Sequence, residues 1–277
     1  MPGREITLHL ISDSTGETVR SAVEAAASQF GRGDFRLRLH NFVRSEAALD
    51  AAFAGIAAEG GGLIVFTMAD DALRASLMRR AAGAGLRAID ILAPIMIALG
   101  ERAGQGPLGR PGEQHRIDGG YLDRIAAIEF ALASDDGAGA DRLTRADVIL
   151  IGASRTSKTP TCVYLANQGV RAANVPLLPG EPLPEPVLQA RRAGVAVVAL
   201  TASPQRLAQV RRQRLDVLES TDPGGYAELE RIREEVTALR LLCERHGIPV
   251  IDVTRRSIEE TAASIRALLP QAPEKEA

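Results

Sequence analysis

Short apolar runs alternate with helical periodicity along most of the chain. Ile6 to Ile11, Leu63 to Phe66, Leu86 to Ile91, Val148 to Ile151 and Val195 to Leu200 read as buried strands. Phe35 to Phe42 alternates apolar and polar residues, as a half-buried strand does, and Ala172 to Pro176 and Pro249 to Val253 are shorter strand candidates. Helical patterns fill the intervals: Glu17 to Phe30, Ser45 to Ala58, Asp70 to Ala82, Tyr121 to Ala133, Pro160 to Gln168, Val187 to Ala193 and Ala227 to His246. A further helix opens at Ser203-Pro204, and the last follows a capping box formed by Ser257 and Glu260. In the helix from Tyr121, the residues Leu122, Ile125, Ile128 and Leu132 fall on one apolar face.

Repeated strand–helix units predict parallel, doubly wound sheets. The expected fold is α/β: an N-terminal doubly wound α/β domain over residues 1–140, then a P-loop kinase-like α/β domain over 141–277, with Ala138 to Ala140 as the hinge. Regularity stops after Leu99. Gly100 to Gly120 is rich in Gly, Pro and charge, which marks a linker or a functional segment.

One stretch organises the second half: Val148-Ile-Leu-Ile-Gly-Ala-Ser-Arg-Thr-Ser-Lys-Thr-Pro-Thr161. A strand, a tight turn and a helix start bring backbone N–H groups to one point, where they and the helix dipole favour phosphate oxygens. Gly152, Ala153, Ser154, Arg155, Thr156, Ser157, Lys158 and Thr159 follow the spacing G-x-x-x-x-G-K-[ST], except that Ser157 replaces the second glycine. Lys158 would reach an outer phosphate, Thr159 would sit on a magnesium ion, and Arg155 adds a guanidinium suited to phosphate. Glycine tolerates φ > 0, so Ser157 implies strain or a shifted loop. An ordinary β-turn-α junction carrying Lys-Thr is the alternative.

Three other segments carry chemistry. Ser12-Asp13-Ser14-Thr15-Gly16 is a polar loop between strand and helix, where Asp13 would be a base or a metal ligand, or where Ser14 or Thr15 simply caps the helix. Arg110, His115, Arg116 and Asp118 are concentrated in the irregular segment and would act as acid, base or phosphate ligands, or else belong to a solvated connection. Arg206, Arg211, Arg212 and Arg214 follow Ser203 and mark either a lid over transferring phosphate or a solvated helix face. His9, His40 and His246 lie in strand or helix contexts and read as structural.

Composition narrows the classes. The 277 residues carry a net charge of −2, few aromatics and no Trp, so neither general attraction to nucleic acid nor a base-stacking surface is expected. Cys162 and Cys243 lie in different predicted helices and form no disulfide framework, as suits a reducing compartment. No apolar run is long enough for a signal sequence or a membrane span, and a cytoplasmic protein without membrane contact is expected. A symmetric homodimer is the default assembly.

Taken together, Ile11-Ser-Asp-Ser-Thr-Gly-Glu-Thr18, Arg110-Pro-Gly, His115, Asp118, Tyr121, Arg124 to Phe130, Asp135-Asp-Gly137, Gly152 to Thr161, Tyr164-Leu-Ala-Asn167 and Arg171 to Pro176 are more specific than any one motif. The set, spread over nearly the whole chain, resembles the pyruvate, phosphate dikinase regulatory protein family, and its first motif looks like the dikinase branch rather than the phosphoenolpyruvate synthase branch. The resemblance implies a bifunctional enzyme. It would phosphorylate a Thr beside the dikinase's catalytic phosphohistidine, with ADP as donor and AMP as product, and remove that phosphate with inorganic phosphate, releasing pyrophosphate. On that reading Lys158 and the loop hold ADP, Thr159 helps place magnesium, and Arg155 meets the transferring phosphoryl group. Asp13, Asp118 or Asp135 orients the acceptor hydroxyl, and His115, Arg110 and Arg116 supply an anion site. A P-loop small-molecule kinase and a non-catalytic ADP sensor are the competing readings.

Overall fold

The computed structural model describes residues 6–30, 34–113, 119–217 and 225–270. The chain divides into two compact units, Met1–Arg116 and Ile117–Ala277. The first contains β1 (Ile6–Ser12), α1 (Glu17–Ala27), β2 (Phe35–His40), α2 (Glu46–Ala58), β3 (Leu63–Thr67), α3 (Asp71–Gly83), β4 (Ala88–Asp90) and α4 (Ala93–Ala103). Its strands are all parallel, in the order β2-β1-β3-β4. The second contains α5 (Gly119–Ala133), β5 (Val148–Gly152), α6 (Lys158–Ala166), β6 (Ala172–Pro176), α7 (Glu185–Arg192), β7 (Ala196–Thr201), α8 (Pro204–Val217), α9 (Leu229–His246), β8 (Val250–Asp252) and α10 (Ile258–Arg266). Its strands are also parallel, in the order β6-β5-β7-β8. The α/β fold expected from the alternating pattern is therefore present as two four-stranded parallel sheets.

The second sheet shows why the pattern works. Val148 to Ile151 is buried throughout, so the strand must be covered on both faces. Ile149 and Ile151 pack with Val187 of α7 and Leu239 and Cys243 of α9. Val148 and Leu150 point to the opposite face and pack with Ala127 of α5, Leu165 of α6 and Ile265 of α10. The period-two alternation of a strand thus feeds two separate cores from one continuous apolar run. In the first unit the same division puts Ile11 and Phe66 against α2 and α3, and Leu8 and Leu10 against Val19 and Val23 of α1.

The two sheets share one topological feature. In each, the chain leaves the first strand for a neighbour on one side and then crosses to the other side. The loop after β1 and the loop after β5 therefore both sit where strand order reverses, at the carboxyl edge where α/β sheets take ligands.

Three predicted helix starts hold. Ser45 accepts from Ala48 N, Asp70 accepts from Leu73 N, and Ser257 with Glu260 forms the reciprocal capping box. Others do not. Neither Ser14 nor Thr15 caps α1; Gly16 occupies the cap position at φ 84° without a side-chain bond. The apolar face read on α5 is buried only in part: Ile128 packs against the core, but Leu122 and Leu132 are 62% and 67% exposed while Ala127 and Ala131 are buried. Small side chains four residues apart let α5 approach closely, and α5 packs against α6 and β6 of the second unit. The sequence division at 140 had left this helix in the first half. The segment after Leu99 is also more regular than its composition suggests: α4 runs to Ala103, with Pro in its first turn, and ends at Gly104 with φ 66°.

Candidate phosphate-binding site

The turn from Gly152 to Thr159 joins the buried end of β5 to the first turn of α6. Gly152 ends the strand at φ 138°, and a Cβ there would lie 2.2 Å from the carbonyl oxygen of Leu200 on β7. No other residue fits between the strands at that point. Arg155 and Ser157 then adopt left-handed backbone conformations, with φ 69° and 61°. Ser157 thus takes the conformation a glycine would favour, at the strain cost that its side chain implies. Thr156 is buried and closes the turn by donating to the Ala153 carbonyl at 2.9 Å.

Lys158 lies buried beneath the turn. Its ammonium donates to the carbonyls of Gly152 and Ala153 at 3.0 and 2.8 Å, which leaves one of its three donors for a ligand. Burial pushes its pKa down to about 8, against the opposing pull of Asp136. A phosphate oxygen here would meet a desolvated ammonium and the free N–H groups of a helix start.

Two side-chain systems hold the turn in shape. Arg211 of α8, 3% exposed, forms a bidentate pair with Glu235 of α9 at 2.9 and 2.9 Å. The same guanidinium donates to the Ser154 carbonyl at 3.2 Å and to the Tyr226 carbonyl at 3.1 Å, and lies 4.6 Å from the centre of the Tyr226 ring. The Tyr226 hydroxyl shares a hydrogen bond with Ser154 Oγ at 2.8 Å and accepts from Arg155 Nε at 3.3 Å. A cavity of about 630 Å³ shares Arg211 and Tyr226 with this brace and is also lined by Pro179 and Arg231. The second system joins Thr159, Asp135 and Asn174. Thr159 Oγ1 donates to Asp135 Oδ1 at 3.0 Å, and Asn174 Nδ2 donates to Asp135 Oδ1 at 2.7 Å and to Thr159 Oγ1 at 3.0 Å.

Asp13 occupies the corresponding reversal point of the first unit. Its Oδ2 accepts from Ala69 N at 2.6 Å, tying the loop after β1 to the loop after β3. Burial raises its pKa above the usual carboxylate range, and the Ala69 N–H only partly opposes that. A cavity of about 180 Å³ lies beside it, lined by residues that include Ser14, Thr15, Thr67, Arg110 and Gly112. Arg110 belongs to this cavity, 3.6 Å from Glu113. His115, Arg116 and Asp118 lie outside the described residues.

Of the four arginines grouped on α8 by their sequence spacing, Arg206, Arg212 and Arg214 are exposed and only Arg211 reaches the turn. Sequence reasoning did not find Glu235, Tyr226 or Asn174 as contributors. An Asn inside the otherwise apolar run Ala172–Pro176 was the one available signal. Cys162 and Cys243 are free and buried, and burial pushes their thiols up to about 12 and about 11. Among the described residues no helix is long and apolar enough to cross a membrane.

The two parallel sheets, with a strand–turn–helix junction and a buried Lys where strand order reverses, define an α/β protein with a candidate phosphate turn. The chain belongs to the kinase/pyrophosphorylase family, whose profile matches residues 8–266. A relative from Caulobacter vibrioides is 44% identical over 262 residues, covering 95% of this chain and 82% of its own. Another from Sphingopyxis alaskensis is 44% identical over 262 residues, covering 95% and 96%. Both are named "Putative pyruvate, phosphate dikinase regulatory protein". A periplasmic ribose ABC transporter structure from Conexibacter woesei overlaps at a TM-score of only 0.26 and 15% identity, over 96% of this chain and 79% of that one.

Proposed function

We propose that this protein regulates pyruvate, phosphate dikinase by two opposed phosphoryl transfers. In one, a Thr hydroxyl of the target takes the β-phosphoryl group of ADP; the P–O bond to AMP breaks, and AMP and a proton are released. In the other, inorganic phosphate takes the phosphoryl group from phosphothreonine, and the products are pyrophosphate and the free hydroxyl. The observation that carries this reading is the Gly152–Thr159 turn with its buried Lys158, in a chain whose relatives bear the dikinase-regulator name.

Lys158 and the N–H groups at the start of α6 hold the diphosphate and offset its charge as it shifts toward the bridging oxygen of AMP. Arg155, exposed at the crest of the turn, meets the transferring group. Thr159 presents a hard oxygen donor beside the phosphates, which fits magnesium. Magnesium, when bound, neutralises diphosphate charge. The brace through Arg211 and Tyr226 keeps the turn from rearranging as the charge moves. The reverse transfer needs a second anion position, and Arg110, His115 and Arg116 are the residues assigned to it. The carboxylate that orients the acceptor comes from Asp13, Asp118 or Asp135. A homodimer in the cytoplasm is the assembly and setting proposed.

The test uses purified dikinase, magnesium and ADP labelled in the β-phosphate. Label on a single Thr of the dikinase, located by mass spectrometry and released as pyrophosphate on adding inorganic phosphate, is the expected result. Phosphoenolpyruvate synthase serves as the parallel target, and labelling of it alone would move the assignment to that branch. No label on either protein, with ATP-dependent labelling of a small molecule instead, would replace this reading with a P-loop small-molecule kinase.

A further inference from the structure

The Thr159–Asp135–Asn174 system has a geometry that loop bracing alone does not explain. Its members come from three elements: the first turn of α6, the turn after α5, and β6. Asn174 is 2% exposed and sits in a strand whose neighbours Ala172, Ala173 and Val175 are all buried. Burying an amide there is costly unless its polar atoms are used, yet Asn174 Oδ1 has no hydrogen-bond partner. Its Nδ2, by contrast, is aimed at both the carboxylate and the hydroxyl.

The backbone around it is equally committed. Asn174 N donates to the Ser134 carbonyl at 3.0 Å, and Gly137 N donates to the Asn174 carbonyl at 2.9 Å. These two bonds clamp the turn carrying Asp135 onto β6, and Asp136 and Gly137 take left-handed conformations to allow it. Asp135 Oδ1 accepts both side-chain bonds, and Oδ2 accepts neither. A fixed carboxylate with one oxygen uncommitted therefore stands 3.0 Å from the hydroxyl at the foot of the phosphate turn.

We propose that Asp135 is the protein carboxylate of a divalent-cation site that accompanies the nucleotide diphosphate, with Thr159 as its hydroxyl partner and Asn174 as the residue that positions both. The proposal rests on the turn being the diphosphate site. Carboxylate, hydroxyl and phosphate oxygens are all hard donors. Magnesium is held by one or two carboxylates with substrate phosphates and retained waters rather than by an all-protein cage. Among the described residues no group of three or more His, Cys, Asp or Glu could hold a metal ion, so this site is complete only with the nucleotide. Its carboxylate arrives from the turn that precedes the phosphate strand, not from the end of a neighbouring strand. Asp135 is then committed to the cation and does not orient the acceptor hydroxyl.

The experiment measures ADP binding by calorimetry with and without Mn²⁺, and counts bound Mn²⁺ by electron paramagnetic resonance. The wild type should bind ADP at least about tenfold more tightly with Mn²⁺. Asp135→Asn should lose most of that gain, measured against its own metal-free ADP affinity, and Asn174→Ala should lose about tenfold in Mn²⁺ affinity. A residue that merely braced the turn would weaken ADP binding equally with and without Mn²⁺ and leave the gain intact. An Asp135→Asn protein that retains the full Mn²⁺ gain overturns the proposal, as does a wild type that binds ADP without any gain. A wild type that binds no ADP sinks the reading of the turn itself, a separate outcome. If Asp135→Asn fails to fold, Asp135→Glu decides: a reduced Mn²⁺ gain supports the site and an unchanged gain refutes it.

Discussion

Replacing Arg211 by Met tests whether the phosphate turn is held from outside by a buried charge. The substitution removes the bidentate pair to Glu235 and the donors to the Ser154 and Tyr226 carbonyls, all within 3.2 Å. The Arg211 and Glu235 side chains are 4% and 10% exposed, so the loss leaves a nearly buried carboxylate without its partner. Breaking a buried pair in this way costs about 3–5 kcal/mol. At about 2–4 °C per kcal/mol for a domain of this size, the melting temperature of the second unit should fall by roughly 6–20 °C. Most of that cost comes from the stranded charge rather than from the pair's own attraction. The double variant Arg211→Met/Glu235→Met should therefore recover at least about 2 kcal/mol relative to the sum of the single changes. Exposed Arg212→Met is the control and should stay within about 0.5 kcal/mol. Thermal and urea unfolding of the four proteins gives the cycle, and ADP titration of the double variant reads the turn, which should bind several-fold more weakly without its brace. An Arg211→Met protein as stable as Arg212→Met, or strictly additive singles, would refute the reasoning.

Two further outcomes follow from the turn. Lys158, with its pKa pushed down to about 8 from 10.5, binds its proton less tightly when folded than when unfolded. It therefore lowers stability at pH 7, and that penalty fades as pH rises from about 8 to about 10.5. A bound diphosphate favours the ammonium, so ADP binding at pH 8 should take up about half a proton, seen by calorimetry in buffers of different ionisation heat. Lys158→Met should abolish the uptake, and an unchanged uptake in that variant would remove Lys158 from the site. Ser157→Gly should relieve about 1–2 kcal/mol of left-handed strain while losing about 0.5–1 kcal/mol to the freer unfolded chain. The melting temperature should hold or rise by a few degrees with ADP affinity retained, whereas a clear fall would show that Ser157 contributes more than its backbone.

The sequence by itself determined the elements and the junction between them. Val148 to Ile151 read as a buried strand because the run is short, β-branched and broken by Gly152, and side chains that alternate along a strand then cover both faces. Gly152 and Lys158 were readable for the same local reason: a turn between strand and helix has few chemical solutions. Caps such as Ser45, Asp70 and Ser257 were equally legible, since each acts on a backbone N–H three residues away. Only the tertiary structure decided which face of α5 is buried, because Ala127 and Ala131 pack closely where bulkier Leu122 and Leu132 cannot. It also decided which of four arginines matters, since Arg211 is defined by Glu235, 24 residues away, and by a carbonyl 57 residues away. The union of Thr159, Asp135 and Asn174 is of the same kind: spacings of 24, 39 and 15 residues follow no helical or strand period. Periodicity records what a residue does within its own element, and these contacts are made between elements, where only the packed sheet sets the distance.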